Sequence, residues 1–145
     1  MQTFSHAGIS YPLCGLTRAP IPAGNLVDHF DRLECGGQVA FMGRVRNQTK
    51  GRSVTWLEYE AQEVMAEQIM QEVLAEATEQ FQLHHSCCIH RLGRLYPGEC
   101  AVLVITATPH RKAAYGGNQY IIDEVKRRAP IWKKECFADG SEVWP

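Results

Sequence analysis

At 145 residues, the chain is long enough to bury a core without disulfide or metal staples, and it is read as one domain over residues 1–145. A hydrophobic share of 45%, a charged share of 21% and a formal net charge of −1 suit a globular protein and argue against a general binder of nucleic acid or membrane surfaces. No apolar run approaches the roughly 20 residues of a bilayer span, and the start, MQTFSHAGISYPLCGLTRAP, lacks a basic segment followed by an apolar stretch, so a cytoplasmic address is expected.

Leu26, Phe30 and Leu33 recur at helical spacing between Gly24 and Leu33, and Gly36-Gly37 is the expected stop. The stretch QVAFMGRVRN turns Val39, Phe41 and Val45 to one side, as a half-buried strand ending at Asn47 does. After the polar loop QTKGRS, SVTWLEYEA reads as a second strand, expected antiparallel to the first. From Ala61 to Phe81 the period becomes helical, with Met65, Ile69, Val73 and Ala77 on one stripe and Met70 and Leu74 beside it. This helix holds Glu63, Glu67, Glu72, Glu76 and Glu79 and no lysine or arginine. Like charges four apart cost roughly a few tenths of a kcal/mol each, so the packed stripe must hold it together and the acidic face is expected in solvent.

SCCIHRLGRLYPGECAVLVITAT reads as two β segments joined through Pro97-Gly98, the second, Ala101 to Ala107, being apolar enough for a central strand. Thr108-Pro109 predicts a hydroxyl-capped helix start, and Pro130 ends the helix near Arg128. IWKKECF is extended, with Ile131 and Trp132 expected in the core. Strands and helices without strict βαβ alternation predict an α+β fold. The cysteines Cys14, Cys35, Cys87, Cys88, Cys100 and Cys136 include no C-x-x-C pair, and His84-His85 have no partner at ligand spacing. Buried thiols are expected, and no structural metal.

The chemistry concentrates in cations. DEVKRRAPIWKKE packs five of the fifteen basic residues into thirteen positions, including Lys126 and Lys133 on either side of Pro130. Arg44 and Arg46 end a predicted strand, and His110-Arg111 open a predicted helix, where free N–H groups and the helix dipole already favour an anion. Gly116-Gly117 inside that helix cost about 1 kcal/mol each against alanine, which predicts close approach by another element or a ligand. A lysine in a partly dry, cation-rich pocket serves as nucleophile or proton donor. Residues alone thus predict an anion site formed by Arg46, His110 and Arg111, with a lysine pair for the reaction.

Five stretches, GRVRN, LEYEA, HRLGRLYPGE, PHRKAAY and VKRRAPIWKKE, stand in the order and spacing of the large, catalytic subunit of molybdopterin synthase, and the chain resembles this MoaE family over roughly Gly37 to Trp144. The resemblance implies an α/β hammerhead fold with an additional antiparallel β subdomain, and no cofactor or metal. It implies a central homodimer that binds two small ubiquitin-like sulfur-carrier subunits, giving a heterotetramer. The carrier's C-terminal Gly-Gly thiocarboxylate would reach the pocket, and two sulfur transfers would convert cyclic pyranopterin monophosphate to the molybdopterin dithiolene. By this likeness Lys126 and Lys133 match the catalytic lysines. Arg46, His110 and Arg111 match the residues placed against the substrate phosphate, some of them across the dimer interface, and Phe41 matches an aromatic lining position. Tyr115 stands where phenylalanine is common and Ile122 where some members have methionine, and the first twenty residues match little. The other readings are a non-catalytic module that clasps the carrier's tail and a nucleic-acid binder using the KRR patch, which lacks aromatic interleaving and overall basicity.

Overall fold

The chain begins with three short strands that periodicity does not flag, β1 (Thr3–His6), β2 (Ile9–Pro12) and β3 (Cys14–Thr17), in a computed structural model that describes residues 2–144. Helix α1 (Ala23–His29) is shorter than its apolar spacing predicts. Phe30 is already extended, and Leu33 is 98% exposed rather than core. Gly36 and Gly37 therefore do not stop the helix. A Cβ on Gly37 would lie 2.8 Å from the Arg111 Cα, so this glycine lets the chain pass close to the start of a later helix.

The remaining elements are β4 (Gly37–Arg44), β5 (Gln48–Thr49), β6 (Arg52–Ala61), α2 (Glu63–Phe81), β7 (His85–Arg91), β8 (Gly93–Leu95), β9 (Cys100–Thr108), α3 (Arg111–Arg128), β10 (Ile131–Phe137) and β11 (Glu142–Val143). They make the expected α+β fold with two larger sheets. One has the order β3-β7-β9-β4, and the other, fully antiparallel, has the order β11-β10-β6-β5 with β8 also on β6. The second sheet supplies the antiparallel subdomain.

The first sheet is the middle of three layers. On one face Cys88, Val102 and Val104 pack against Met70, Val73 and Ala77 of α2 and Ile121 and Val125 of α3. On the other, Cys87, Ile89, Leu103 and Ile105 pack against Leu26 and the N-terminal Tyr11 and Leu13. Burial on both faces explains the unbroken apolar run of β9, since neither side-chain direction meets water. Ile121 is 0% exposed, and truncation to alanine there would cost about 2–5 kcal/mol.

Two pairings differ from the sequence-based expectation. Strand β4 pairs along β9, whereas β6 pairs with β10 in the other sheet. Central β9 needs a neighbour on each edge, and β4 supplies one until a bulge at Gly43/Arg44 turns the chain away. Thr108 is buried and its hydroxyl donates to the His110 carbonyl at 2.5 Å; the N-cap is His110, and no side-chain hydrogen bond caps the helix. On α2, Met65 is 51% exposed, and Ala66 and Met70 carry that part of the buried stripe. No helix among the described residues is long and apolar enough to cross a membrane.

Candidate active site

The two sheets meet at the C-terminal end of α3, and the junction encloses a cavity of about 470 Å³. That is within the roughly 300–1,000 Å³ of small-molecule sites. Lys126 comes from the last turn of α3 and Lys133 from β10, which leaves α3 after the break at Pro130. Arg44 and Arg46 enter from the bulged end of β4, with Phe41 beside them. Gly43 keeps the edge open: a Cβ there would stand 2.6 Å from Val102 Cγ1 and close to the Phe41 ring.

Ion pairing divides the basic run into two groups. Arg127 binds Glu124 at 2.6 Å, and Arg128 binds Glu76 at 2.7 Å with Glu72 and Glu124 beside it. Lys134 lies between Glu58 and Glu142, at 3.7 and 3.6 Å. Lys126, Lys133 and Arg46 have no carboxylate partner within 4.0 Å among the described residues, and all three line the cavity. The acidic flank of α2 is thus not simply solvated. Arg128 reaches it from α3, and Arg18 pairs with Glu63 at its start. The Arg128 and Tyr120 hydrogen bonds hold the Glu76 carboxyl down at about 2.

Three lining residues escape sequence reasoning. Trp132 is 40% exposed and lines the cavity instead of the core, with Ile131 beside it. Tyr59 on β6 and His90 on β7 read as ordinary strand residues, and their meeting edge to face, 4.8 Å between centroids, depends on the two sheets converging. Burial pushes the Tyr59 phenol up and, with a smaller contribution from Lys126, pushes the His90 imidazole down to about 4. The Gly116-Gly117 pair belongs to packing: Cβ atoms there would lie 2.7 Å from the Phe81 ring and from Leu83 Cδ2, so α3 uses it to approach the end of α2.

The chain does not bring His110 and Arg111 to this cavity. They are exposed at the opposite end of α3, and sixteen residues of helix at 1.5 Å per residue put them roughly 24 Å from Lys126. Cys87 and Cys88 are fully buried, and burial raises both thiols, as expected of small apolar residues. Glu34, Cys35 and His84 do gather at the surface, with candidate ligand atoms within 4.8 Å of one another, and none of the three lines the lysine cavity. There His84 Nδ1 and the Arg32 guanidinium already flank the Glu34 carboxylate, at 3.1 and 3.6 Å.

The model of the MoaE protein family matches residues 16–128, more than half of the chain. The chain belongs to the MoaE family. It is 41% identical over 129 residues to the molybdopterin synthase catalytic subunit of Bacillus subtilis (strain 168), covering 89% of this chain and 82% of that one. Against the subunit of the same name from Nostoc sp. it is 39% identical over 130 residues, covering 89% and 79%. The crystal structure of molybdopterin synthase from Staphylococcus aureus superposes with a TM-score of 0.86 at 34% identity, covering 92% of this chain and 97% of that one. A chain of the complex of subunits 1 and 2 of molybdopterin-converting factor from Helicobacter pylori has the same fold, with a TM-score of 0.75 at 18% identity over 92% and 90% of the two chains. The cavity of this MoaE-family chain therefore sits on a fold shared across distant relatives.

Proposed function

We propose that this chain is the catalytic subunit of a molybdopterin synthase. It transfers sulfur from the C-terminal thiocarboxylate of a small ubiquitin-like carrier to cyclic pyranopterin monophosphate, forming the dithiolene. The observation that carries the reading is the charge left over after ion pairing: Lys126, Lys133 and Arg46, unpaired, on one cavity. Thiocarboxylate, carboxylate product and phosphate are all anions, and a fixed ammonium about 4 Å from one contributes about 4 kcal/mol before desolvation at an effective dielectric near 20. Lys126 and Lys133 are assigned to the reacting carbon and sulfur, Arg46 to the phosphate. Phe41 and Trp132, 38% and 40% exposed, offer aromatic walls to an entering Gly-Gly tail.

The distant His110 and Arg111 fit the same reading through a second copy. Strand β4 is the edge of its sheet. Its Gly37 end lies against Arg111, and its Phe41–Arg44 end lies at the cavity. Antiparallel pairing of two β4 edges about a twofold axis would set the first end of one copy beside the second end of the other. The eight residues of β4 span roughly 24 Å, which matches the separation of Arg111 from Lys126 along α3. A homodimer built this way gives each lysine pair an Arg111 and a His110 from the partner subunit, and two carriers complete a heterotetramer.

The test mixes the protein with thiocarboxylated carrier and cyclic pyranopterin monophosphate and follows dithiolene formation. Turnover that disappears in Lys126→Ala while the carrier still binds supports the reading. Carrier binding with no product from the unaltered protein would reduce it to a module that holds a tail.

A further inference from the structure

The wall of the lysine cavity carries a group that this sulfur chemistry does not use. His90 stands on β7 opposite Val102 of β9 and is 9% exposed. Its Nδ1 lies 2.8 Å from the Arg91 carbonyl oxygen. A carbonyl only accepts, so Nδ1 carries the proton and Nε2 presents a lone pair. Nε2 has no protein partner, yet it is not among the sealed, unpartnered atoms, which among the described residues are His85 Nε2 and Arg91 Nε. Because His90 lines the cavity and Nε2 is neither paired nor sealed among the described residues, that lone pair is available to a molecule entering the cavity.

Two roles are open to such an imidazole, and magnitudes separate them. Burial, helped by Lys126, outweighs the Arg91 hydrogen bond and holds its pKa at about 4. An ordinary ammonium keeps its proton roughly a millionfold more tightly than a base of that strength, so His90 is a poor partner for deprotonating a lysine. It is a good permanent acceptor, neutral throughout the physiological range. Among the other lining side chains, lysine and arginine have no lone pair to offer, and the Tyr59 hydroxyl is the one further acceptor.

We propose that His90 is a specificity-determining residue whose Nε2 accepts a hydrogen bond from a ring N–H or amino group of a nitrogen-heterocycle substrate while the cations hold that substrate's phosphate. The assignment rests on the reading of this cavity as the pyranopterin site. It predicts discrimination against heterocycles that present an acceptor at that position, because two lone pairs would then face each other.

Two substitutions separate the halves of the imidazole. His90→Asn keeps a donor for the Arg91 carbonyl and removes the cavity acceptor; His90→Gln places an amide oxygen near Nε2 and gives up the anchor. With cyclic pyranopterin monophosphate as probe, His90→Asn should raise KM and equilibrium Kd roughly tenfold to a hundredfold, with a smaller change in kcat. His90→Gln should recover most of that loss. The reverse order, with His90→Asn matching the unaltered protein and His90→Gln defective, would make His90 a strand anchor and overturn the assignment. If the unaltered protein turns over and both variants match it, the assignment falls while the function stands. If the unaltered protein neither binds nor converts the probe, both fall. Should neither variant fold, the nitrogen NMR spectrum of the unaltered imidazole decides: an Nε2 resonance that shifts on saturation with the probe supports the contact, and one that stays in place refutes it.

Discussion

A mixed-subunit experiment tests whether one pocket draws on two chains. Take Lys126→Ala and Arg111→Ala as full-length chains. Arg111 is exposed, roughly 24 Å of helix away from the lysine in its own chain, so a one-chain pocket has no use for it. In the two-chain pocket, Arg111→Ala removes a charge-assisted contact to phosphate and should lower kcat/KM roughly tenfold to a hundredfold. Lys126→Ala removes a cation at the reacting atoms, with an expected loss of about 10²–10³ in kcat. In a heterodimer of the two variants, the chain bearing Arg111→Ala keeps its own Lys126 and receives an intact Arg111 from its partner, so one of its two pockets is complete. Random reassortment makes half of the dimers mixed, so activity should return to about a quarter of the unaltered level, and to about half in heterodimers purified through two tags. The assay is dithiolene formation at saturating carrier, before and after subunit exchange. Activity after exchange no higher than the mean of the two parents would refute the shared pocket.

Neighbouring lysines should differ sharply: Lys133→Ala is expected to lower kcat about 10²–10³, whereas Lys134→Ala, whose ammonium already pairs with Glu58 and Glu142, should stay within about twofold in the same assay. Gly117→Ala should lower the thermal midpoint despite its better helix propensity, because a Cβ 2.7 Å from Leu83 Cδ2 overpacks the site by about 1–3 kcal/mol, and a second change, Leu83→Val, should give part of that back. Acid titration should show two separate causes. His90, held near 4 against an ordinary 6.5, binds its proton more readily in the unfolded chain, so stability is full above about pH 6.5 and falls from there toward pH 4. Glu76, lowered from 4.5 to about 2, adds stability above pH 4.5 that is lost as pH falls toward 2, so the Tm gap between the unaltered protein and Glu76→Gln should narrow below pH 4.5. A gap that is constant with pH would show that the carboxylate's charge contributes nothing.

Elements with a strong single period were legible. The run Ala101–Ala107 is buried on both faces of β9 as its composition predicts, α2 ends at Phe81, and Pro130 separates α3 from β10. Elsewhere, partners outside the local segment decide the structure. Strands β1 to β3 are four residues each, too short for a period, and they are held by pairing with one another and with β7. SVTWLEYEA forms a strand as its alternation predicts but pairs with β10 rather than β4, because alternation fixes which way side chains point and says nothing about which edge they join. Leu33 has the right spacing for α1 but lies beyond the point at which Phe30 becomes extended.

The site was legible as a list of residue types, and its resolution into paired and unpaired charges was not. Of the five cations between Lys126 and Lys134, three are tied to carboxylates on α2, α3, β6 and β11, and such ties cannot be seen in a local window. Geometry sorts them. At about 100° per residue Arg128 stands some 200° round the helix from Lys126, so when Arg128 turns to Glu76 on α2 the lysine must face away from that helix, toward the sheet junction. On β10, successive side chains alternate, so Lys134 points to Glu58 and the Trp56 ring while Lys133 points to the opposite side, into the cavity. A helix and a strand joined at Pro130 therefore each turn one lysine inward by sending its basic neighbour to an acid elsewhere. Because backbone pairing with β6 holds β10 from Ile131 to Phe137, Lys133 should keep its aim when the Lys134 tether is cut: changing Glu58 and Glu142 both to glutamine should leave kcat for dithiolene formation within about twofold, as Lys134→Ala does, and a loss as large as that of Lys133→Ala would show that the tether, not the strand, directs the lysine.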